Sequence, residues 1–172
     1  SFEPHPLNFQ KLRKRVKRNL LDNVELRQIA IGKESGRRTL ASRVSGTGTA
    51  SLQEGLKADI SREVGSQTVH VDVDSLDHLI SIQKLPRPDF MKVDVEGLEM
   101  EVLSGMEDTL KQCKPELLIE IHGVGQESKL KNAKRVVGFL VNQEYSLRHI
   151  ESNSKITVNN FEIAKEGHLY CF

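Results

Sequence analysis

Two acids follow an apolar segment in the middle of this chain. Residues 90–93 have the composition of a short strand, and Asp94 and Glu96 come directly after them. Gly97 then allows a sharp turn, because glycine adopts backbone conformations that other residues avoid. A strand-to-helix corner of this kind is where open α/β sheets usually bind ligands. The sequence therefore predicts a functional site at Asp94 and Glu96.

A second pair of such side chains lies at the end of the next apolar segment. Residues 117–121 are nearly all apolar, but they include Glu120 and are followed by His122. Residues two apart share a face of a strand, so each pair is expected to point one way. If the two strands are neighbours, the four side chains meet at one edge of the sheet.

Three chemical interpretations of this cluster remain open from the residues alone. It could bind a divalent cation, with Asp94 and Glu120 as candidate ligands, since carboxylates suit Mg²⁺, Mn²⁺ or Ca²⁺ and imidazole suits Zn²⁺. It could supply a general base, because a crowded carboxylate has a raised pKa and histidine titrates near neutrality. It could also be structural, with the acids favoured by the dipole of the helix that follows.

An early acid, Glu3, is the other residue of interest. An acid at the carboxyl end of a strand can accept both hydroxyls of a ribose. The alternative is a surface acid near the start of the chain, which its position alone favours.

The elements that would position these residues alternate along the chain. Such alternation predicts a mostly parallel α/β sheet. Helices are expected over residues 6–20, 75–82, 97–114 and 130–141, the third with Glu99 facing outward. Strands are expected over residues 24–31, 37–44, 68–73, 90–94 and 116–121, with short closing strands at 145–150, 156–158 and 169–172. Residues 45–65 are expected to form a long loop with a short helical piece near residues 52–60.

The length, charge and composition of the chain limit the functional classes that fit it. The 172 residues suit a single domain over 1–172, and the net charge of +1 gives no global attraction to nucleic acid or membrane. No apolar stretch approaches the roughly 20 residues that cross a bilayer. The two cysteines match no metal-binding spacing and predict a reducing, cytoplasmic setting. The basic residues between Lys11 and Arg18 are interpreted as the solvent-exposed face of a helix. The alternative is that they form a binding surface for RNA.

Several stretches resemble one enzyme family, the FkbM-type methyltransferases. The central KVDVEGLE at residues 92–99 is similar to the family's KxDVEGxE signature. FEPHP at residues 2–6, with Phe9, Leu12 and Asn19, resembles the family's FEPxPxxFxxLxxN stretch. Weaker similarities are AIG at residues 30–32, SLD at 75–77, and the strand from Pro115 to His122. Their order and spacing agree over nearly the whole chain.

This resemblance implies a Rossmann-like class I methyltransferase sheet with antiparallel C-terminal strands, and S-adenosylmethionine (SAM) as the methyl donor. It implies that Glu3, with Pro4 beside it, holds the ribose of SAM. It also implies that Ala30 and Ile31 border the adenine, and that Asp94 lines the methionine end or the substrate. The implied reaction is O-methylation of a hydroxyl on a small molecule or carbohydrate.

A hydroxyl acceptor must lose its proton during transfer. The candidate catalytic residues are Asp94, Glu96, Glu120 and His122, which would act directly or through a bound divalent cation. Substitution of Asp94 should abolish transfer, whereas substitution of Cys113, outside the cluster, should change little.

One departure from the family pattern matters. Its first strand and glycine-rich turn have no counterpart here, and that strand would lie between those of Glu3 and Asp94. The sequence therefore predicts an N-terminally truncated domain that lacks the first strand and binds SAM poorly. The alternatives are an interaction module without activity, or a protein that binds or methylates RNA. The sequence is also compatible with a homo-oligomer.

Overall fold

The computed structural model describes residues 1–43, 50–51 and 66–172 of an α/β protein. The helices are α1 (Pro6–Arg18), α2 (Leu76–Gln83), α3 (Glu99–Ser104), α4 (Glu107–Cys113) and α5 (Gly125–Asn142), with a 3₁₀ helix at Phe161–Lys165. The strands are β1 (Ala30–Ile31), β2 (Gly36–Arg43), β3 (Ala50–Ser51), β4 (Ser66–Asp74), β5 (Phe90–Val93), β6 (Glu116–Glu120), β7 (Leu147–His149), β8 (Ser154–Ile156) and β9 (His168–Cys171).

The described strands form two mixed sheets. One has the order β1-β4-β2-β3, and the other has the order β5-β6-β9-β7-β8. The pairs β1–β4 and β5–β6 are parallel, while the other pairs of these sheets are antiparallel. The α/β class and the antiparallel closing strands are confirmed. The antiparallel share is larger than expected, because β2 and β4 pair over their full length as antiparallel neighbours.

The start of the chain pairs with the segment that precedes β1. The strand expected over residues 24–31 is confined to β1, and Arg27 forms a single parallel bridge with Phe2. Helix α1 carries Pro6 in its first turn, as expected, and has no buried residue. Leu20, which was expected on its apolar stripe, lies beyond the helix and is 87% exposed.

Local chemistry explains where the central helices begin. The hydroxyl of Ser75 accepts the backbone N–H of His78 and so caps α2, as the sequence predicts. The single helix expected over residues 97–114 is instead divided into α3 and α4. The carboxylate of Asp77, on α2, accepts the backbone N–H groups of Asp108 and Thr109 in the first turn of α4. That contact stabilises the start of a separate helix.

The main core lies between the second sheet and its helices. Leu103 from α3, Leu110 from α4 and Leu140 from α5 are fully buried in one cluster with Leu117 and Ile119 from β6. Alternate residues of β6 therefore anchor the strand in the core, and its carboxyl end is held firmly. This packing fixes the place at which Glu120 and His122 leave the sheet.

Other expectations meet the structure in part. The long loop and its helical piece near residues 52–60 lie outside the described residues, apart from the short strand β3. Helix α5 begins five residues before the expected start at Leu130. In the described part of the chain, no helix has the length and apolar character needed to cross a membrane.

Candidate functional site

Strands β5 and β6 bring the predicted acids together. They pair in parallel with Val93 opposite Ile119, so their carboxyl ends leave the sheet at the same edge. The Nε2 atom of His122 lies 3.4 Å from Oε1 of Glu120 and 3.8 Å from Oδ1 of Asp94. One ligand-type atom of each residue lies within 4.8 Å of those of the other two. Asp94, Glu120 and His122 thus form one cluster, here called the acid–imidazole cluster.

Glu96 occupies a different place from the one the sequence suggests. Strand β5 ends at Val93, so Asp94 and Glu96 do not lie on one face of a continuing strand. The chain turns there instead, with φ of 51° at Glu96 and 93° at Gly97. A turn with two successive positive φ values favours glycine, which is present at the second position. Glu96 lines the neighbouring cavity but is outside the acid–imidazole cluster.

Glu99, which was expected to face outward, is completely buried. Its Oε1 atom lies 3.2 Å from Nδ1 of His122 and accepts the backbone N–H of Gly97 at 3.0 Å. Its Oε2 atom accepts the side-chain amide of Asn132 at 2.5 Å. A buried carboxylate is tolerated when hydrogen bonds replace water in this way. The prediction was wrong because the acid points inward to orient the imidazole ring.

The pKa of His122 is raised from 6.5 to about 9. The hydrogen bond to Glu99 is the main cause, and the negative charges of Glu96, Glu99 and Glu120 add to it, whereas burial acts in the opposite direction. Because this pKa is above 7, both ring nitrogens of His122 are protonated at neutral pH when no metal ion is bound, and the ring is positively charged. The cluster is therefore an ion-paired group of one imidazolium and several carboxylates.

Lys92 also contacts the acid–imidazole cluster, and the sequence did not predict this contact. Its Nζ atom donates to Oδ2 of Asp94 at 2.9 Å, and this hydrogen bond raises the pKa of Lys92. Lys92 thus takes one oxygen of Asp94, while the other oxygen faces His122. Both Lys92 and Glu99 belong to the KVDVEGLE stretch, so their presence in that motif was the available signal.

A second imidazole approaches the cluster from strand β9. Nε2 of His168 lies 3.6 Å from Oε2 of Glu120, so the two oxygens of Glu120 face different rings. Nδ1 of His168 in turn lies 2.7 Å from Oε1 of Glu151. No sequence motif predicts this contact, because it depends on the antiparallel pairing of β9 with β6.

A cavity of about 450 Å³ lies beside the cluster, between the start of the chain and β5. Its walls include every residue that was predicted to bind the cofactor: Glu3, Pro4, Ala30, Ile31 and Asp94. Glu3 is held there by its own segment, since Oε1 accepts the backbone N–H of His5 at 2.8 Å. Among the described strands, β5 pairs with β6 alone, and residues of β5 line the cavity.

Acids at two adjacent strand ends with a cavity beside them are an arrangement at which α/β domains commonly bind ligands. The family model of the FkbM methyltransferase domain matches residues 1–160, so the chain belongs to this family. This family was predicted from the KVDVEGLE stretch and its companions, and the prediction is confirmed.

Individual relatives agree with this assignment. "Methyltransferase 1" from Beauveria bassiana is 29% identical over 63% of this chain and 48% of its own length. "Hexuronic acid methyltransferase AglP" from Haloferax volcanii is 41% identical over 34% of this chain and 23% of its own length. The crystal structure of methyltransferase FkbM from Methylobacillus flagellatus KT has a similar fold, with a TM-score of 0.56 and 20% identity. That likeness covers 99% of this chain and 35% of the crystallised chain.

The matches cover only part of each relative. The alignments span less than half of Methyltransferase 1, about a quarter of AglP and about a third of the crystallised FkbM chain. The family model establishes the family, and the structural likeness establishes the fold.

Proposed function

We propose that this domain binds SAM and takes part in transferring its methyl group to a hydroxyl of a small molecule or carbohydrate. Family membership supports methyl transfer, and the name of one relative, a hexuronic acid methyltransferase, supports a carbohydrate acceptor. The observation that carries the proposal is the cavity, which Glu3 and Asp94 both line.

The chemistry of the cavity fits the proposed cofactor. A carboxylate such as Glu3 can accept two ribose hydroxyls, and apolar walls at Ala30 and Ile31 suit an adenine ring. Asp94 and Glu96, which also line the cavity, supply negative charge that would favour a cationic ligand. SAM supplies a methyl group on a positively charged sulfur, from which an acceptor oxygen can displace it.

The residues of the site would orient the acceptor and take its proton. The raised pKa of His122 favours its charged form, which makes its imidazole a poorer proton acceptor than a carboxylate. The carboxylates Asp94, Glu96 and Glu120 remain, and each is partly open to the cavity or the solvent. Holding the acceptor hydroxyl against one of these groups would supply both orientation and base catalysis.

The test is calorimetric titration of SAM into the wild-type chain and into Glu3→Gln and Asp94→Asn. We expect each variant to bind at least ~10-fold more weakly, since a hydrogen bond to a charged group contributes roughly 1.5–3 kcal/mol. Cys113→Ser is the matched control and should bind as the wild type does, because Cys113 lies outside the cavity lining. A folded wild-type chain that shows no SAM binding would contradict the proposal and favour an interaction module. Transfer to hexuronic acids and to neutral sugars, followed with labelled SAM, would then identify the acceptor.

We also propose a cytoplasmic location, since both cysteines are free thiols. This stays a prediction.

A further inference from the structure

The acid–imidazole cluster has the composition and spacing of a metal site. We propose that Asp94, Glu120 and His122 bind one divalent transition-metal ion, with Mn²⁺ as the representative. The proposal adds a metal cofactor to the site of the proposed transfer, and so its role in the reaction rests on that function. The binding itself can be measured without SAM or an acceptor.

The distances between ligand atoms suit a single ion. With metal–ligand bonds of about 2.1 Å, adjacent ligands of a tetrahedral or octahedral ion lie about 3.0–3.4 Å apart. Nε2 of His122 lies 3.4 Å from the nearest Glu120 oxygen and 3.8 Å from the nearest Asp94 oxygen. All three ligand atoms lie within 4.8 Å of one another, so the side chains must move closer to close around an ion. The parallel β5–β6 pairing already fixes both backbones.

The imidazole is oriented as in many metal-binding histidines. Such residues usually donate one ring nitrogen to a carboxylate, which leaves the other nitrogen for the metal. Here Nδ1 of His122 faces the buried carboxylate of Glu99, and Nε2 faces Asp94 and Glu120, so a metal ion would take the place of the Nε2 proton, which is released to solvent. Asn132 fixes this arrangement from helix α5, since its amide donates to both Glu99 and the carbonyl of His122.

The surrounding charge favours a cation. Glu96 and Glu99 add negative charge beside the two carboxylates of the cluster. Lys92 occupies Oδ2 of Asp94 and leaves Oδ1 facing the imidazole. With Asp94 and Glu120 engaged as ligands, Glu96 would be the candidate carboxylate left to receive the acceptor's proton.

The donor set selects the class of ion. One imidazole with two carboxylates suits Mn²⁺, Fe²⁺ or Zn²⁺, because imidazole favours transition metals and carboxylate tolerates them. Ca²⁺ requires six to eight oxygen ligands, which is a poor match to these three residues.

The experiment is a titration of the chelator-treated chain with Mn²⁺, in which electron paramagnetic resonance reports free Mn²⁺. We expect one Mn²⁺ bound per chain. Asp94→Asn and Glu120→Gln, which preserve side-chain shape, should each weaken binding at least ~10-fold. Glu162→Gln is the matched control, since Glu162 is an exposed acid outside the cluster and the substitution is the same as at Glu120. This variant should bind Mn²⁺ as the wild type does.

Two results would overturn the metal site. One is the lack of stoichiometric Mn²⁺ binding by a wild-type chain whose circular dichroism shows it to be folded. The other is unchanged Mn²⁺ binding by folded Asp94→Asn and Glu120→Gln. Either result would mean that His122 and Lys92, rather than a metal ion, neutralise these acids. A chain that binds SAM but not Mn²⁺ overturns only the metal site, whereas one that binds Mn²⁺ but not SAM overturns only the proposed methyl-donor function.

Discussion

At the scale of single residues, the site depends on a carboxylate that cannot reach the solvent. Glu99 holds the ring of His122 and accepts N–H groups from Gly97 and Asn132. Its burial removes the competition of water, so these hydrogen bonds act in a medium of low polarity. The consequence is that the direction of the His122 ring is fixed before any ligand arrives, as preorganised sites require.

A pH-dependent contribution to stability is expected from Glu151. The backbone N–H of His168 and then its ring donate to this carboxylate and lower its pKa from 4.5 to about 2. A lowered pKa means that the folded state favours the charged form, so the stabilisation is full above pH 4.5 and is lost as the pH falls towards 2. Glu151→Gln should therefore lower the free energy of unfolding at pH 7 and have a smaller effect at pH 3.

Urea unfolding of the wild type and Glu151→Gln at pH 7, 4 and 3 would measure this contribution. Because the side chain is 47% exposed, its contribution should also weaken at high salt. Glu162→Gln, at another exposed acid, provides the control. Equal effects of Glu151→Gln at pH 7 and pH 3 would contradict the assignment.

Most of the acids and the imidazole of the site could be predicted from the sequence, but the residues that contact and orient them could not. The apolar segments before Asp94 and Glu120 were enough to predict two strand ends at one edge. Glu99 was missed although it continues the stripe of Leu103, Met106 and Leu110 at helical spacing, because an acid on such a stripe is usually placed outside. His168 was missed for a different reason, since only the pairing of β9 with β6 brings it near.

At the scale of elements, the corner between α3 and α4 depends on a close backbone contact. A Cβ atom at Gly105 would lie 1.9 Å from the carbonyl oxygen of Gly32, which follows β1. The first sheet and the α3–α4 corner can therefore meet only through glycine. We expect Gly105→Ala to destabilise the protein by about 1–3 kcal/mol or more, because the backbones must separate.

Gly138→Ala provides a matched control, since it is the same substitution at a helical site. Gly138 lies inside α5, and no atom lies within 4 Å of a Cβ added there. Alanine favours the helix, so this variant should be more stable by roughly 0.5–1 kcal/mol. Thermal or urea unfolding of both variants measures the difference. A neutral effect of Gly105→Ala would show that the contact with Gly32 relaxes at little cost.

The elements were predictable where a local signal exists. Ser75, as a helix-capping residue, predicted the start of α2, and the alternation of apolar and polar residues predicted β4. The division of the third expected helix was not predictable, because it depends on Asp77 reaching the first turn of α4 from another element. The antiparallel pairing of β2 with β4 was missed because strand alternation does not specify direction.

At the scale of the whole molecule, the cavity has walls from both sheets. Ala30 and Leu40 come from the first sheet, whereas Met91 and Val93 come from the second. A ligand that fills this space must contact both, so its binding should stabilise the two sheets together. At a concentration of 100 times its Kd, such a ligand adds about 2.7 kcal/mol to the free energy of unfolding.

Hydrogen exchange with S-adenosylhomocysteine, the demethylated form of the proposed donor, can test this coupling. At labelling times short relative to global unfolding, amides of both β1 and β5 should exchange more slowly with the ligand present. Amides of β7 and β8 should be unchanged, because these strands lie away from the cavity lining. Glu3→Gln should reduce the protection of both walls, since a single ligand would join them. Protection of β5 alone would contradict a ligand that spans the cavity, because its contact with β1 would then be absent.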